Sequence, residues 1–146
     1  MSVEGHRYTV ELRLWGDTLD PDLVTRETGL QPCQIRRVGQ PIGTQRTYSR
    51  NMWAFNGESD EYGRNWASLE EGLTFIMDAL TGHEHHFGKY RNEYRAIWWC
   101  GHFQTGFDGG PVLSAALLGR LAAFGVDLFI DNYFDQSDGA DEGHGM

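Results

Sequence analysis

The residues best equipped for chemistry are histidines. Gly82-His83-Glu84-His85-His86 sets three imidazoles and a carboxylate almost side by side, donors that suit Zn, Ni or Cu. Cys100 and His102 can approach from a neighbouring strand end. The spacing is not His-Glu-x-x-His, which puts two imidazoles one helical turn apart. His83 and His85 point together only on an extended chain. A metal-dependent enzyme built on His83, His85, His86 and His102 is one reading; a solvated polar loop is the simpler one.

Cys100 with His102 has the residue types of a nucleophile and its base. A reactive thiol needs an accessible site that lowers its pKa, and Cys100 ends the apolar run Ile97-Trp98-Trp99, so a buried structural thiol is expected. Cys33 lies near Arg36 and Arg37, whose charge would lower its pKa, but chance adjacency on a loop accounts for the spacing. Asp17, Asp20 and Asp22 form a carboxylate group of the kind that holds a divalent ion or moves protons. Asp20 before Pro21 already has a duty as a helix N-cap, and Asp22 complements the helix dipole. Asp127 and Asp131 alternate with apolar residues and read as the exposed side of a strand.

The densest positive charge is Arg36, Arg37, Arg46 and Arg50. With Tyr48 and Trp53 nearby, these guanidinium groups can hold an anion or an acidic protein surface. Internal pairing with the many acids is the plainer alternative. Gly39-Gln-Pro-Ile-Gly43 lacks the Lys-Ser/Thr of a phosphate-binding loop. Trp98 and Trp99 point to opposite sides of one strand, so one is core. The other, with Phe103 or Phe129, can form an exposed aromatic patch; full burial under a helix or loop is the alternative.

These residues must be positioned by a short list of elements. Tyr8 to Trp15 alternates, with Tyr8, Val10, Leu12 and Leu14 on one side and Thr9, Glu11 and Arg13 on the other, which predicts a strand with one buried side. Asp20-Pro21 starts a helix that Gly29 ends. Residues 33–50 read as a long loop, either functional or partly ordered by a hairpin, and Asn51 to Phe55 as a short strand. Ser68-Leu-Glu-Glu71 is a capping box opening a helix with the stripe Leu69, Leu73, Ile76, Met77 and Leu80. Residues 83–92 read as a polar loop or short helical turn. Glu93 to Cys100 is apolar on both sides and predicts a central strand. Ser114 caps a helix closed by Gly125, and Val126 to Tyr133 is the last strand. The order β-α-β-α-β-α-β predicts an α+β fold: a ferredoxin-like four-stranded antiparallel or mixed sheet with helices mainly on one face. Residues 1–134 form the single domain, and 135–146, glycine- and acid-rich, a disordered tail.

The chain has 146 residues, the size of one domain that folds without metal or disulfide. Twelve basic against 21 acidic residues give a net charge of −9. Nucleic-acid binding by phosphate neutralisation is not expected, whereas a basic protein partner is compatible. Two cysteines make no disulfide framework. The start of the chain is polar rather than signal-like, and no apolar run reaches the roughly 20 residues a membrane span needs. A cytoplasmic location with no membrane association follows as the expectation, and no cofactor is indicated.

In order and spacing, the chain resembles the bacterial family of domains of unknown function numbered 4279. The resemblance rests on Trp15-Gly16-Asp17, Leu19-Asp20-Pro21, Gly29-Leu30 with Pro32, Trp53, the Leu69 helix, and Leu121 through Gly125-Val126-Asp127-Leu128, Ile130-Asp131 and Tyr133. It covers roughly residues 8–134 and implies one small α+β domain without carrying over any catalytic residue. Some small acidic bacterial domains serve as immunity proteins for secreted toxins, an analogy at the level of class only. Three readings follow. The first is a non-enzymatic module with a protein partner or a second copy of itself. The second is a small-molecule or anion-binding domain using Arg36, Arg37, Arg46, Arg50, Trp53 and Trp99. The third is the histidine-based metal enzyme.

Overall fold

Alternation along the first strand sets the architecture. In the computed structural model, which describes residues 5–58, 60 and 63–134, β1 (His6–Gly16) turns Tyr8, Val10, Leu12 and Leu14 into the main core. The chain continues through α1 (Pro21–Thr28), β2 (Gln34–Arg36), β3 (Pro41–Ile42), β4 (Arg46–Thr47), β5 (Asn51–Phe55), α2 (Leu69–Ala79), α3 (Glu84–Glu93), β6 (Arg95–Gln104), α4 (Ala115–Phe124) and β7 (Asp127–Phe134). Five strands form one mixed sheet in the order β2-β5-β1-β6-β7, and β3 and β4 form a separate hairpin. β1 pairs antiparallel with β5 and β6. β7 pairs parallel with β6, the direction a helical crossover such as α4 permits.

The α+β class therefore holds, but the sheet is not the four-stranded ferredoxin-like one. A fifth strand, β2, is added at one edge, and the central strand is β1 rather than the apolar strand around Trp98. β6 is apolar on both sides because it lies between β1 and β7, with helices beneath it and a second row of aromatic side chains above. All four helices contribute to a single core under one face of the sheet: Val24 from α1, Leu73 and Ile76 from α2, Phe87 and Tyr90 from α3, Leu121 and Phe124 from α4. The approach of α2 to β1 is close, since a Cβ on Gly72 would lie 2.8 Å from Trp66 and 2.9 Å from Val10.

Local chemistry fixes the helix ends. Asp20 accepts from the Asp22 N–H, Ser68 from that of Glu71, and Ser114 from that of Leu117. Gly29 and Gly125 close their helices in the left-handed conformation, at φ of +73° and +83°, which costs glycine little. Glu70 also accepts from the Ser114 backbone N–H and hydroxyl at 2.7 and 2.9 Å, tying the start of α4 to that of α2. The segment expected as a polar loop or short helical turn is a ten-residue helix, α3, buried through Phe87 and Tyr90; the Tyr90 hydroxyl donates to Glu27 at 2.5 Å. The expected loop over 33–50 contains β2 and the β3–β4 hairpin. Among the described residues no helix is long and apolar enough to cross a membrane. The tail expected at 135–146 lies outside the described residues.

Candidate functional site

With every helix on one side, the other face of the sheet is free of helices. Directly opposed residues on neighbouring strands share a face, so the pairing register gives its layout. Arg36, Met52, Trp15 and Arg95 stand in one cross-strand row. Glu11, Trp99 and Phe129 stand in another, and Arg7, Phe103 and Tyr133 in a third. Gly101 lies between the Trp99 and Phe103 rings; a Cβ there would come within 3.0 Å of both and 2.7 Å from the Thr9 hydroxyl. Glycine at this position lets the two rings close over the strand.

Arginines lie flat on these rings. The Arg13 guanidinium is 4.4 Å from the Trp99 ring centre, Arg7 is 4.9 Å from Phe103, and Arg36 is 5.0 Å from Tyr48. Phe103 stacks on Tyr133 at 4.9 Å. Arg13 also donates from Nε to Glu11 at 2.5 Å. Glu11 is only 6% exposed and accepts from the Cys33 thiol at 3.8 Å. The side of β1 that alternation marks as solvated thus holds a part-buried ion pair.

The cysteines are not poised to attack. Burial pushes both thiols up to about 12, with the Glu11 charge adding to the effect at Cys33. As the chance-adjacency reading expects, Arg36 and Arg37 do not lower Cys33, whose thiol meets Glu11. Arg37 instead pairs with Asp22 at 3.0 Å.

The histidines divide into two groups. His83, His85 and His86 sit at the start of α3, where the His85 and His86 ring centres are 3.9 Å apart and those of His83 and His86 6.2 Å. Desolvation first, then the neighbouring His85, pushes the His86 imidazole below its usual pKa. His102 does not join them. Its ring bonds to His6 Nδ1 through Nε2 and to Asn132 Oδ1 through Nδ1, each at 2.8 Å, and stacks on Tyr8. His6 Nε2 reaches the Asp108 carbonyl at 2.6 Å. Both ends of this row are acceptors, so it needs three N–H groups on four ring nitrogens, one proton more than two neutral imidazoles carry. Turning the Asn132 amide by half a rotation makes the row neutral. Among the described residues no three His, Cys, Asp or Glu side chains converge as a metal site would require.

The predicted binding residues also divide. Trp53 is fully buried in the core and donates to the Thr25 hydroxyl at 3.1 Å, so it offers no ligand surface. Arg46 is exposed on β4. Arg36, Arg50 and Tyr48 meet at one end of the helix-free face, and Trp99 lies at its middle. Sequence reasoning missed Arg13 and Trp15, which complete that end; their shared parity with Glu11 on β1 was the available signal.

Fold and site together define a small α+β domain that presents one sheet face lined by arginine and aromatic side chains. The chain belongs to the family described as Domain of unknown function (DUF4279), whose profile matches residues 6–135. No curated protein and no solved structure matches the chain.

Proposed function

We propose that this chain is a non-enzymatic binding module that recognises a protein partner through the helix-free face of its sheet. The observation that carries this reading is the pair of aromatic rows Trp99–Phe129 and Phe103–Tyr133 on this face, with Arg13 and Arg7 stacked on them. Aromatic residues and arginine dominate the energetic centres of protein interfaces, and extended exposed apolar patches mark interaction sites. Phe129 and Tyr133 are 47% and 40% exposed. Stiff strands hold them in place, which lowers the entropy cost of binding. An immunity-type role is one form of this reading, in which the partner is a toxin encoded beside this chain.

Capture from extracts of the native cell tests it, using wild type in parallel with a Phe129→Ser, Tyr133→Ser variant. Both positions lie outside the core, so the variant is expected to fold. A protein retained by wild type and lost by the variant is the expected result. Equal retention by both, or no retained protein, refutes the reading.

A further inference from the structure

The basic end of the same face is a cleft of about 240 Å³ whose lining includes Arg13, Trp15, Arg36, Tyr48, Arg50 and Met52. The β3–β4 hairpin brings Tyr48 to it, with the Tyr48 N–H bonded to the Gln40 carbonyl at 2.9 Å. Among the described residues no carboxylate lines this cleft. Arg13 is already neutralised by Glu11, while Arg36 and Arg50 have no carboxylate partner among the described residues. Arg37, Arg64 and Arg120 have each found an acid.

The Arg36 Nε–H and the Trp15 Nε1–H are enclosed by protein and lack an acceptor, as does the core Trp98 Nε1–H, so the donors the cleft offers a ligand are the lining Arg36 and Arg50 side chains. A guanidinium only donates, so each is matched by an acceptor brought to it. Trp15, Met52 and the Tyr48 ring supply flat or apolar walls beside these donors.

We propose that this cleft is a binding site for a small organic oxyanion, a carboxylate or phosphate monoester carried on a flat apolar body. Arg36 and Arg50 bind the oxygens, and the body lies against Trp15 and Met52. A free small acid and an acidic side chain of a protein partner share this chemistry, and the experiment separates them.

Isothermal titration of the full chain with benzoate, phenyl phosphate, acetate and inorganic phosphate tests the site. Benzoate or phenyl phosphate is expected to bind, and more tightly than acetate or inorganic phosphate. Arg36→Gln and Arg50→Gln should each weaken binding about tenfold or more, the loss of a charge-assisted hydrogen bond. Arg46→Gln, outside the cleft, should leave it unchanged. No heat with either aromatic anion, or affinity unaltered in the Arg36→Gln, Arg50→Gln double variant, overturns the proposal. So does equal affinity for acetate and benzoate. A circular dichroism spectrum of each variant matching wild type excludes misfolding as the cause. The double variant, tested in the capture experiment, separates the two sources: a partner lost with it means that the oxyanion belongs to the partner's side chain. The Phe129→Ser, Tyr133→Ser variant leaves the cleft intact, so either reading can fail while the other stands.

Discussion

Replacing Trp53 with alanine tests whether that side chain is core or binding surface, because the two roles differ in magnitude. Trp53 has no exposed surface and packs against the rings of Phe55 and Phe87, each 6.0 Å away between centres. Truncating such a side chain costs about 3–5 kcal/mol, a large part of the roughly 5–15 kcal/mol a domain of this size has. With a urea slope of about 2 kcal/mol/M, the unfolding midpoint should fall by roughly 1.5–2.5 M. The melting temperature should fall by roughly 6–20 °C. Trp53→Phe keeps most of the volume and removes the bond to Thr25, so its cost should be about 1 kcal/mol. Trp99→Ala is the contrast, since it mainly loses the stacked Arg13, an interaction of about 0.5–1 kcal/mol. Urea unfolding followed by far-ultraviolet circular dichroism reads all three. Trp53→Ala within about 1 kcal/mol of wild type, or a Trp99→Ala cost equal to that of Trp53→Ala, would refute the assignment of these two tryptophans to opposite faces.

Two further outcomes follow from burial and backbone geometry. The folded thiols of Cys33 and Cys100 are pushed from 9.0 to about 12, so an alkylating reagent at pH 8 should modify neither until the chain unfolds. The same shift makes their contribution to stability full below pH 9 and lost as pH rises toward 12, because only the unfolded state releases those protons in between. Tyr8, Tyr90, Tyr94 and Tyr133 are raised as well and act in the same direction. Urea midpoints should be lower at pH 10 than at pH 7.5, and equal midpoints contradict the burial of these groups. Gly29→Ala should cost about 1 kcal/mol from the left-handed backbone alone, since nothing lies within 4 Å of the added carbon. Gly125→Ala should cost more, about 2 kcal/mol. Its new carbon meets the Arg91 guanidinium at 3.1 Å, and Arg91 is held there by the Phe124 carbonyl. Equal costs in equilibrium unfolding argue against that packing.

The parts of the fold legible in the sequence are those set by local chemistry. Asp20-Pro21, Ser68 with Glu71, Ser114, Gly29 and Gly125 announce helix ends because each satisfies or frees backbone groups within a few residues. β1 announces itself by period. Helix α3 was obscured because His83 makes no capping bond and only Phe87 and Tyr90 give it an apolar side, too few for a stripe. β2 was obscured because three residues at a sheet edge carry no periodic signal. The site was partly legible: arginine density pointed to Arg36 and Arg50, and strand parity to Trp99. Which side of β5 faces the core is decided by a neighbour far along the chain, so Trp53 could not be separated from the aromatics of the helix-free face. Arg13 and Trp15 join Arg36 only through the β1–β5–β2 register, which no local pattern encodes.

The place of β1 at the centre of the sheet has a consequence for how the chain assembles. Its two partners arrive late and from far off: Leu14 faces Trp53, and Val10 faces Cys100. Most of the sheet is thus built from contacts of long sequence separation, which carry a high loop-closure cost before they stabilise anything and slow folding. During synthesis, at roughly 5–20 residues per second, β1 waits with its apolar side unpaired until β5, and much later β6, have emerged. Helices α1 and α2, whose caps are local, can form in that interval, but the sheet they pack on cannot close until β6 reaches β1.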